Sequence, residues 1–373
     1  MRQTANLIFQ HIYRNMEKGV TRQELALQLD MSLPTIGTHL KLLAEQGLIV
    51  EITEEKSRRT GRRSNLIYPN PACRYSVGLE VRKDSVKFLL MDFRQHVLDR
   101  FTRSFDFTDQ EALPGFLAGT IEELLEAHYI PRDRVLGVGT AITAIVTKDV
   151  PPLIHAYILN IDRWQQERIT RAIPYPCTLR QIAAAALFAN LQQAPEKDSL
   201  TYVWIGEVLA AATAFQRGVY WGDHSLCMEI NHFCMVPGGR LHNCGKRGCL
   251  GAYCSADQLS EGPYGSLDGF FAALEAGEPA AVVRWEQYTD ILAQALNNLY
   301  LVVDCAIVLG GPVGSRLTPF LGGLQRKASA FNPNDNATGY LQVDTCDDSA
   351  ILGAAQDVIH QYVFSGQAAA DED

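Results

Sequence analysis

Two histidines and two cysteines, His232, His242, Cys244 and Cys249, fall within residues 229–254 of the 373-residue chain, around Gly245 and Gly248. Imidazole nitrogen and thiolate sulfur are the borderline and soft donors that fill a closed tetrahedral Zn²⁺ site with no position left for water. The glycines let the chain fold back between the last two donors. Four residues between Cys244 and Cys249 is a looser spacing than the two of a zinc finger, and Cys234 and Cys254 are near enough to compete as ligands. Spacing alone leaves two readings open, a structural zinc loop or histidines and cysteines that fall close together by chance.

A second chemistry sits at the N-terminus. Residues 1–63 hold ten Lys and Arg against seven Asp and Glu, although the whole chain carries a net charge of −9. A basic end on an acidic chain directs any nucleic-acid contact to that end. Lys56, Arg58, Arg59, Arg62 and Arg63 crowd around Gly61 between two apolar runs, 48–52 and 65–68, that read as paired strands. Such a basic wing can bind phosphates or enter a narrow minor groove.

Three helices must position that wing. The first has apolar residues at helical spacing over 3–13. The second begins at Thr21, whose partner Glu24 completes a capping box, and ends near Leu29. The third has Ser32 as N-cap, Pro34 in the first turn, a length reaching about Gln46, and Gly47 at the C′ position. Its inner side is Ile36, Leu40 and Leu43, leaving Thr35, Thr38, His39 and Lys41 for the outer side. Helix, short turn and helix is the geometry that lays the N-terminal part of the latter helix into the major groove of double-stranded DNA. Thr35, Thr38, Lys41, Arg59, Arg62 and Arg63 are the expected DNA contacts.

Pro69-Asn70-Pro71 breaks regular structure and marks a linker. Beyond it a β-hairpin is expected over 75–98 and further strands over 135–146, 200–205, 210–215 and 306–309. Helical patterns cover 109–127, 182–191, 281–298 and 350–363. Alternating strands and helices mean an α/β body. The length suits two or three domains. Neither a signal peptide nor a spanning helix is legible, and nine cysteines beside apolar residues fit a reducing compartment, so a cytoplasmic protein without a membrane partner is expected.

Glu229-Ile230-Asn231-His232, ten residues on to His242, and then Cys244-Gly245-x-x-Gly248-Cys249-Leu250 resemble the zinc signature of the ROK family, which groups sugar kinases with sugar-responsive repressors. The family's ligands are one His and three Cys, with His242 here in place of one Cys. The helices and wing resemble the winged helix-turn-helix of the repressor branch. Residues 307–313 and 349–355 look like the family's two C-terminal blocks. The resemblance implies an α/β fold, with a winged helix-turn-helix at 1–70 followed by a two-lobed actin-like, ribonuclease H-like body. Lobe 1 is expected over 71–180, rejoined by a C-terminal helix at about 355–366, and lobe 2 with the zinc loop over 181–350. It also implies a homodimer or homotetramer.

The same resemblance argues against phosphoryl transfer, which needs amides around the phosphates, a metal-binding carboxylate and a base. The family's first phosphate loop, Asp-x-Gly-Gly-Thr, is replaced by residues 78–84 with bulky Leu79 and Val81. Its second, Gly-Thr-Gly, is Gly206-Glu207-Val208, and Gln181 stands where the family has its catalytic Asp. Neutral Gln181 is no proton acceptor, a loss of about 10²–10⁴ in rate. Asn160, Glu229 and His232 match the family's sugar contacts, whereas Gly251 replaces a sugar-binding Glu and Arg180 replaces an Asn, making Arg180 available to an acidic or phosphorylated ligand. The expected protein is a non-enzymatic repressor of carbohydrate genes, answering to a sugar-like small-molecule effector. An effector-independent or protein-controlled DNA-binding protein is the alternative, and a ROK sugar kinase a more distant one.

Overall fold

The computed structural model describes residues 2–53, 65–147, 153–156, 159, 161–333 and 339–365. The N-terminal unit consists of helices Arg2–Arg14, Arg22–Gln28 and Leu33–Glu45 and the antiparallel strands Ile49–Thr53 and Asn65–Pro69. Its helix ends are set by side chains. The Glu24 carboxylate accepts from Thr21 N at 2.7 Å while Thr21 Oγ1 accepts from Glu24 N at 3.2 Å, closing the capping box. Ser32 Oγ accepts from Thr35 N at 3.3 Å, and Gly47 takes φ +69° just past the third helix, where a side chain would be strained. Val20 and Ile67 exchange both backbone hydrogen bonds, at 3.1 and 2.8 Å, which fixes the root of the hairpin to the helices.

Pro69-Asn70-Pro71 interrupts the strand but does not free the unit. Asn70 Nδ2 donates to Gly47 O at 2.8 Å. Ile8, Phe9 and Ile12 of the first helix share one apolar core with Met91 and Phe93 and with Ile359 and Val363 of the C-terminal helix. The N-terminal unit is therefore packed onto the α/β body through contacts distant in sequence.

The body has two five-stranded sheets of one topology. In the first, Tyr75–Val81, Ser85–Asp92 and Val97–Ser104 are successive antiparallel neighbours, and Val135–Ile142 and Cys177–Gln181 add in parallel on the other side of the first strand. In the second, Leu200–Ile205, Leu209–Phe215 and Gly218–Val219 play the antiparallel part, with Ile307–Gly310 and Leu341–Val343 in parallel. This repeated order is the duplication of an actin-like, ribonuclease H-like body. Val97–Ser104 extends past the expected hairpin; it is a mostly exposed edge strand whose charged residues hide the apolar alternation.

The C-terminal helix Ser349–Phe364 matches the helical pattern expected at 350–363, begins ahead of the 355–366 stretch expected to rejoin lobe 1, and packs on the first sheet and on the helix Ile182–Gln193. Small residues permit this approach. A Cβ at Gly139 would lie 1.9 Å from Ala354 O, and one at Gly353 would lie 1.8 Å from Ala185 O. Either would push backbone against backbone. The helix thereby ties together the first sheet, the start of the second half and the N-terminal unit. Among the described residues, no helix is long and apolar enough to cross a membrane.

Candidate functional site

Between Val219 and Gly251 the chain carries no long element and is folded by tight turns, with Gly245 at φ +80° and Gly248 at φ +85°. Gly248 has no room for a side chain, since a Cβ there would lie 2.0 Å from Val236 O. Leu250 and Cys254 anchor the end of the loop in the core of the second lobe. Between these fixed points one donor atom from each of His232, His242, Cys244 and Cys249 lies within 4.8 Å of every other. His242 Nδ1 is 3.0 Å from Cys244 Sγ, and the sulfurs of Cys244 and Cys249 are 3.8 Å apart. Tetrahedral bonds of about 2.0–2.3 Å to one ion place their donors about 3.3–3.8 Å apart, so the cluster fits a divalent cation after a small contraction.

Of the competing cysteines, Cys254 points into the core and Cys234 lies beside the cluster but outside the group of four. Cys254 is fully buried, its thiol 3.6 Å from Tyr288 O, and Cys234 is exposed on the strand-like bridge to Cys249. Burial lowers the pKa of both His232 and His242, which favours the neutral, metal-binding imidazole. Burial raises the Cys249 thiol, with the Cys244 thiol adding to the shift, so a bound cation would displace protons.

The same histidines border a cavity of about 240 Å³ between the lobes, lined also by Thr143, Gln181, Glu207, Glu229, Asn231 and Gly251. Gln181 ends the strand Cys177–Gln181 and enters the cavity wall. Arg180, one residue earlier, faces the other way, as adjacent strand residues must. Its Nε donates to Asp357 Oδ2 at 2.9 Å, and it lines a separate cavity with Arg217 and His360. Arg180 is thus not a group available to a ligand in the cleft, contrary to the expectation above.

Within residues 78–84 the chain places an ion pair whose carboxylate is buried and whose guanidinium is partly exposed. Glu80, fully buried, accepts from Arg82 Nε at 2.6 Å; burial lowers the Arg82 guanidinium, but Glu80, with Glu207 and Asp348, holds it above its ordinary value. Glu80 is itself raised by burial, an effect opposed by Arg82.

Burial pushes Glu229 up from 4.5 to about 7. A metal held by two thiolates and two neutral imidazoles has no net charge and leaves this shift largely in place. The folded chain then holds a proton that the unfolded chain releases, so without ligand its stability falls as pH rises from about 4.5 to about 7 and levels off above that. A polyol that donates hydroxyls to Glu229 selects the carboxylate. Its affinity is expected to rise with pH through about 7, by at most about tenfold per unit, and to become pH-independent in Glu229→Gln; calorimetry across pH 6–8 checks both.

On the third helix Thr35, Thr38 and Lys41 are exposed and share the outer side. Their groups already have local partners: Thr35 Oγ1 is 2.8 Å from Ser32 Oγ, Thr38 Oγ1 donates to Pro34 O at 3.0 Å, and Lys41 is 3.7 Å from Glu45. His39 corrects the sequence reading. It is buried beside Leu40, because positions 36, 39, 40 and 43 form a single helical stripe. Arg59, Arg62 and Arg63 of the wing, and Asn160, lie outside the described residues. Asn231, which lines the cleft at the variable position of the Glu229–His232 motif, was not singled out from sequence; its place between two motif residues was the available signal.

The ROK family profile matches residues 76–360, more than half of the chain. The chain belongs to the ROK family. Among its ROK relatives, the xylose repressor of Bacillus subtilis (strain 168) is 22% identical over 256 residues, which cover 68% of this chain and 66% of that repressor, just under two thirds. The N-acetylmannosamine kinase of Yersinia pestis (strain Pestoides F) is 26% identical over 258 residues, covering 66% of this chain and 88% of the kinase. A crystal structure of a ROK family transcriptional regulator, described as a homologue of the E. coli MLC protein, shares the fold with a TM-score of 0.75 at 19% identity, covering 98% of this chain and 97% of that one. ROK regulators and ROK kinases are both among its relatives. The 98% coverage takes in the N-terminal helices as well as the two lobes.

Proposed function

We propose that this ROK protein is a cytoplasmic, DNA-binding transcriptional regulator, a repressor of carbohydrate genes whose operator affinity is set by a sugar-like molecule in the interlobe cleft. The observation that carries the reading is the shared core of the N-terminal unit and the body, with Phe9 against Phe93 and Phe93 against Tyr362. A helix-turn-helix joined so tightly to the lobe bearing the C-terminal helix can respond to closure of the cleft. In this reading residues 1–70 bind DNA through Thr35, Thr38, Lys41, Arg59, Arg62 and Arg63. Residues 71–180 with the C-terminal helix form one lobe, and 181–350 the other. Asn160, Glu229 and His232 contact the effector, and His232, His242, Cys244 and Cys249 hold a structural Zn²⁺. The active form is a homodimer or homotetramer, whose symmetry matches a palindromic operator.

Phosphoryl transfer is not part of this reading. Gln181 offers no base, and Glu80 and Glu207 put carboxylates where phosphates would have to approach. Purified protein given ATP and D-glucose, D-xylose or N-acetyl-D-mannosamine is expected to form no ADP above background. Sugar-dependent turnover at kinase rates of about 1–100 s⁻¹ would replace the regulator reading by a kinase. The double substitution Arg62→Ala/Arg63→Ala is expected to weaken DNA binding at all sequences and to lower the slope of log affinity against log salt by about 1.8. An unchanged slope removes the wing from the interface.

A further inference from the structure

The His242 ring separates the metal cluster from the cleft. Its Nδ1 is 3.0 Å from Cys244 Sγ on the cluster side, while Nε2 is 3.4 Å from Asn231 Nδ2 on the cleft side. Asn231 is only 7% exposed, and its Oδ1 has no hydrogen-bond partner. The space for both side chains is made at Gly251. A Cβ there would lie 2.0 Å from Asn231 Oδ1 and 2.7 Å from His242 Nε2. All three residues line the cleft.

We propose that His242 is a two-sided specificity residue: Nδ1 joins the metal cluster, and Nε2–H, with the Asn231 amide, meets an oxygen of a neutral sugar in the cleft, both side chains being seated in room that exists because residue 251 has none. The assignment rests on the cleft being the effector site. Ligation through Nδ1 leaves the imidazole proton on Nε2, making it a fixed donor. In the observed orientation Nε2–H and Asn231 Nδ2 are neighbouring donors 3.4 Å apart, a pair that one ligand oxygen can satisfy, and an unsatisfied buried polar group is costly. The cluster thereby sets the hydrogen-bond polarity of the cleft wall. The contact is uncharged, which matches a neutral polyol better than a sugar acid or phosphate.

Two readouts test this. In Co²⁺-loaded protein, His242→Cys is expected to retain one ion per chain and to strengthen the thiolate-to-metal absorption as two sulfur ligands become three. Gly251→Ala is expected to perturb the Co²⁺ spectrum of the wild-type background more than that of His242→Cys, in which only the clash with Asn231 remains. A Gly251→Ala spectrum identical to wild type would overturn the coupling of 251 to the cluster, whether or not any sugar binds. In the second readout, D-glucose, D-xylose and N-acetyl-D-mannosamine are titrated into Zn²⁺-loaded proteins. The sugar that binds wild type is expected to bind His242→Cys at least about tenfold more weakly. Equal affinities in the two proteins would overturn the contact alone. Binding of none of the three to wild type would overturn the cleft reading and the contact with it.

Discussion

Phe93→Ala is expected to destabilise the protein by about 3–5 kcal/mol and to make its DNA affinity indifferent to sugar. Phe93 is fully buried where three elements meet. Its ring stacks on Phe9 at 5.8 Å and packs against Tyr13 at 5.6 Å and Tyr362 at 6.0 Å. The adjoining polar contacts follow the same seam: Gln95 Nε2 donates to the Tyr13 hydroxyl at 2.7 Å, Arg94 donates to Met16 O at 2.9 Å, and Gln10 Nε2 donates to Val363 O at 3.1 Å. Removing the ring opens a cavity in the joint between the first helix and the body. A ligand shifts a DNA equilibrium only through a difference in affinity between two arrangements, and a loosened joint transmits less of it. Urea unfolding measures the first effect, and operator binding with and without sugar the second. Full sugar response in a destabilised Phe93→Ala protein would place the coupling outside this joint.

The other large effect belongs to the metal cluster. Cys244→Ser/Cys249→Ser is expected to abolish stoichiometric metal binding and to lower Tm by on the order of 10 °C, corresponding to a few kcal/mol at about 2–4 °C each. Zinc-finger peptides derive about 10–16 kcal/mol from their ion, but this loop is also anchored by buried Leu250 and Cys254, so the body should still fold. Sugar binding should disappear, because Glu229, Asn231 and His232 are carried by the same loop. Non-specific DNA binding should persist, since the N-terminal helices are far along the chain and have their own core contacts. Metal analysis, thermal melting and calorimetry on one preparation would measure the three. A variant that lacks metal yet melts and binds sugar like wild type would contradict a structural role.

Local signals carried much of the architecture. Ser32, Pro34 and Gly47 marked the third helix because caps act within one turn, and His232, His242, Cys244 and Cys249 were legible because their spacing lies within a single loop. What failed depended on facing or on distant partners. His39 fell on the buried stripe at 36, 39, 40 and 43, a position its helical spacing already specified but its polarity disguised. Arg180 was assigned to the cleft, although its neighbour Gln181 occupies that face and its partner Asp357 lies 177 residues away. The joint at Phe93 was hidden for the same reason, since its ring partners come from both ends of the chain. Pairing of Gly251 with His242 required distances that no motif contains.

The most direct test of the regulator account is recovery of genomic DNA fragments bound by the purified, Zn²⁺-loaded protein at physiological salt, with and without D-glucose, D-xylose or N-acetyl-D-mannosamine. Non-specific binding fades under these conditions and selective binding persists. The account predicts enrichment of a few palindromic sites beside carbohydrate genes, reduced or strengthened by one of the sugars. Absence of any enriched site under all four conditions would contradict it.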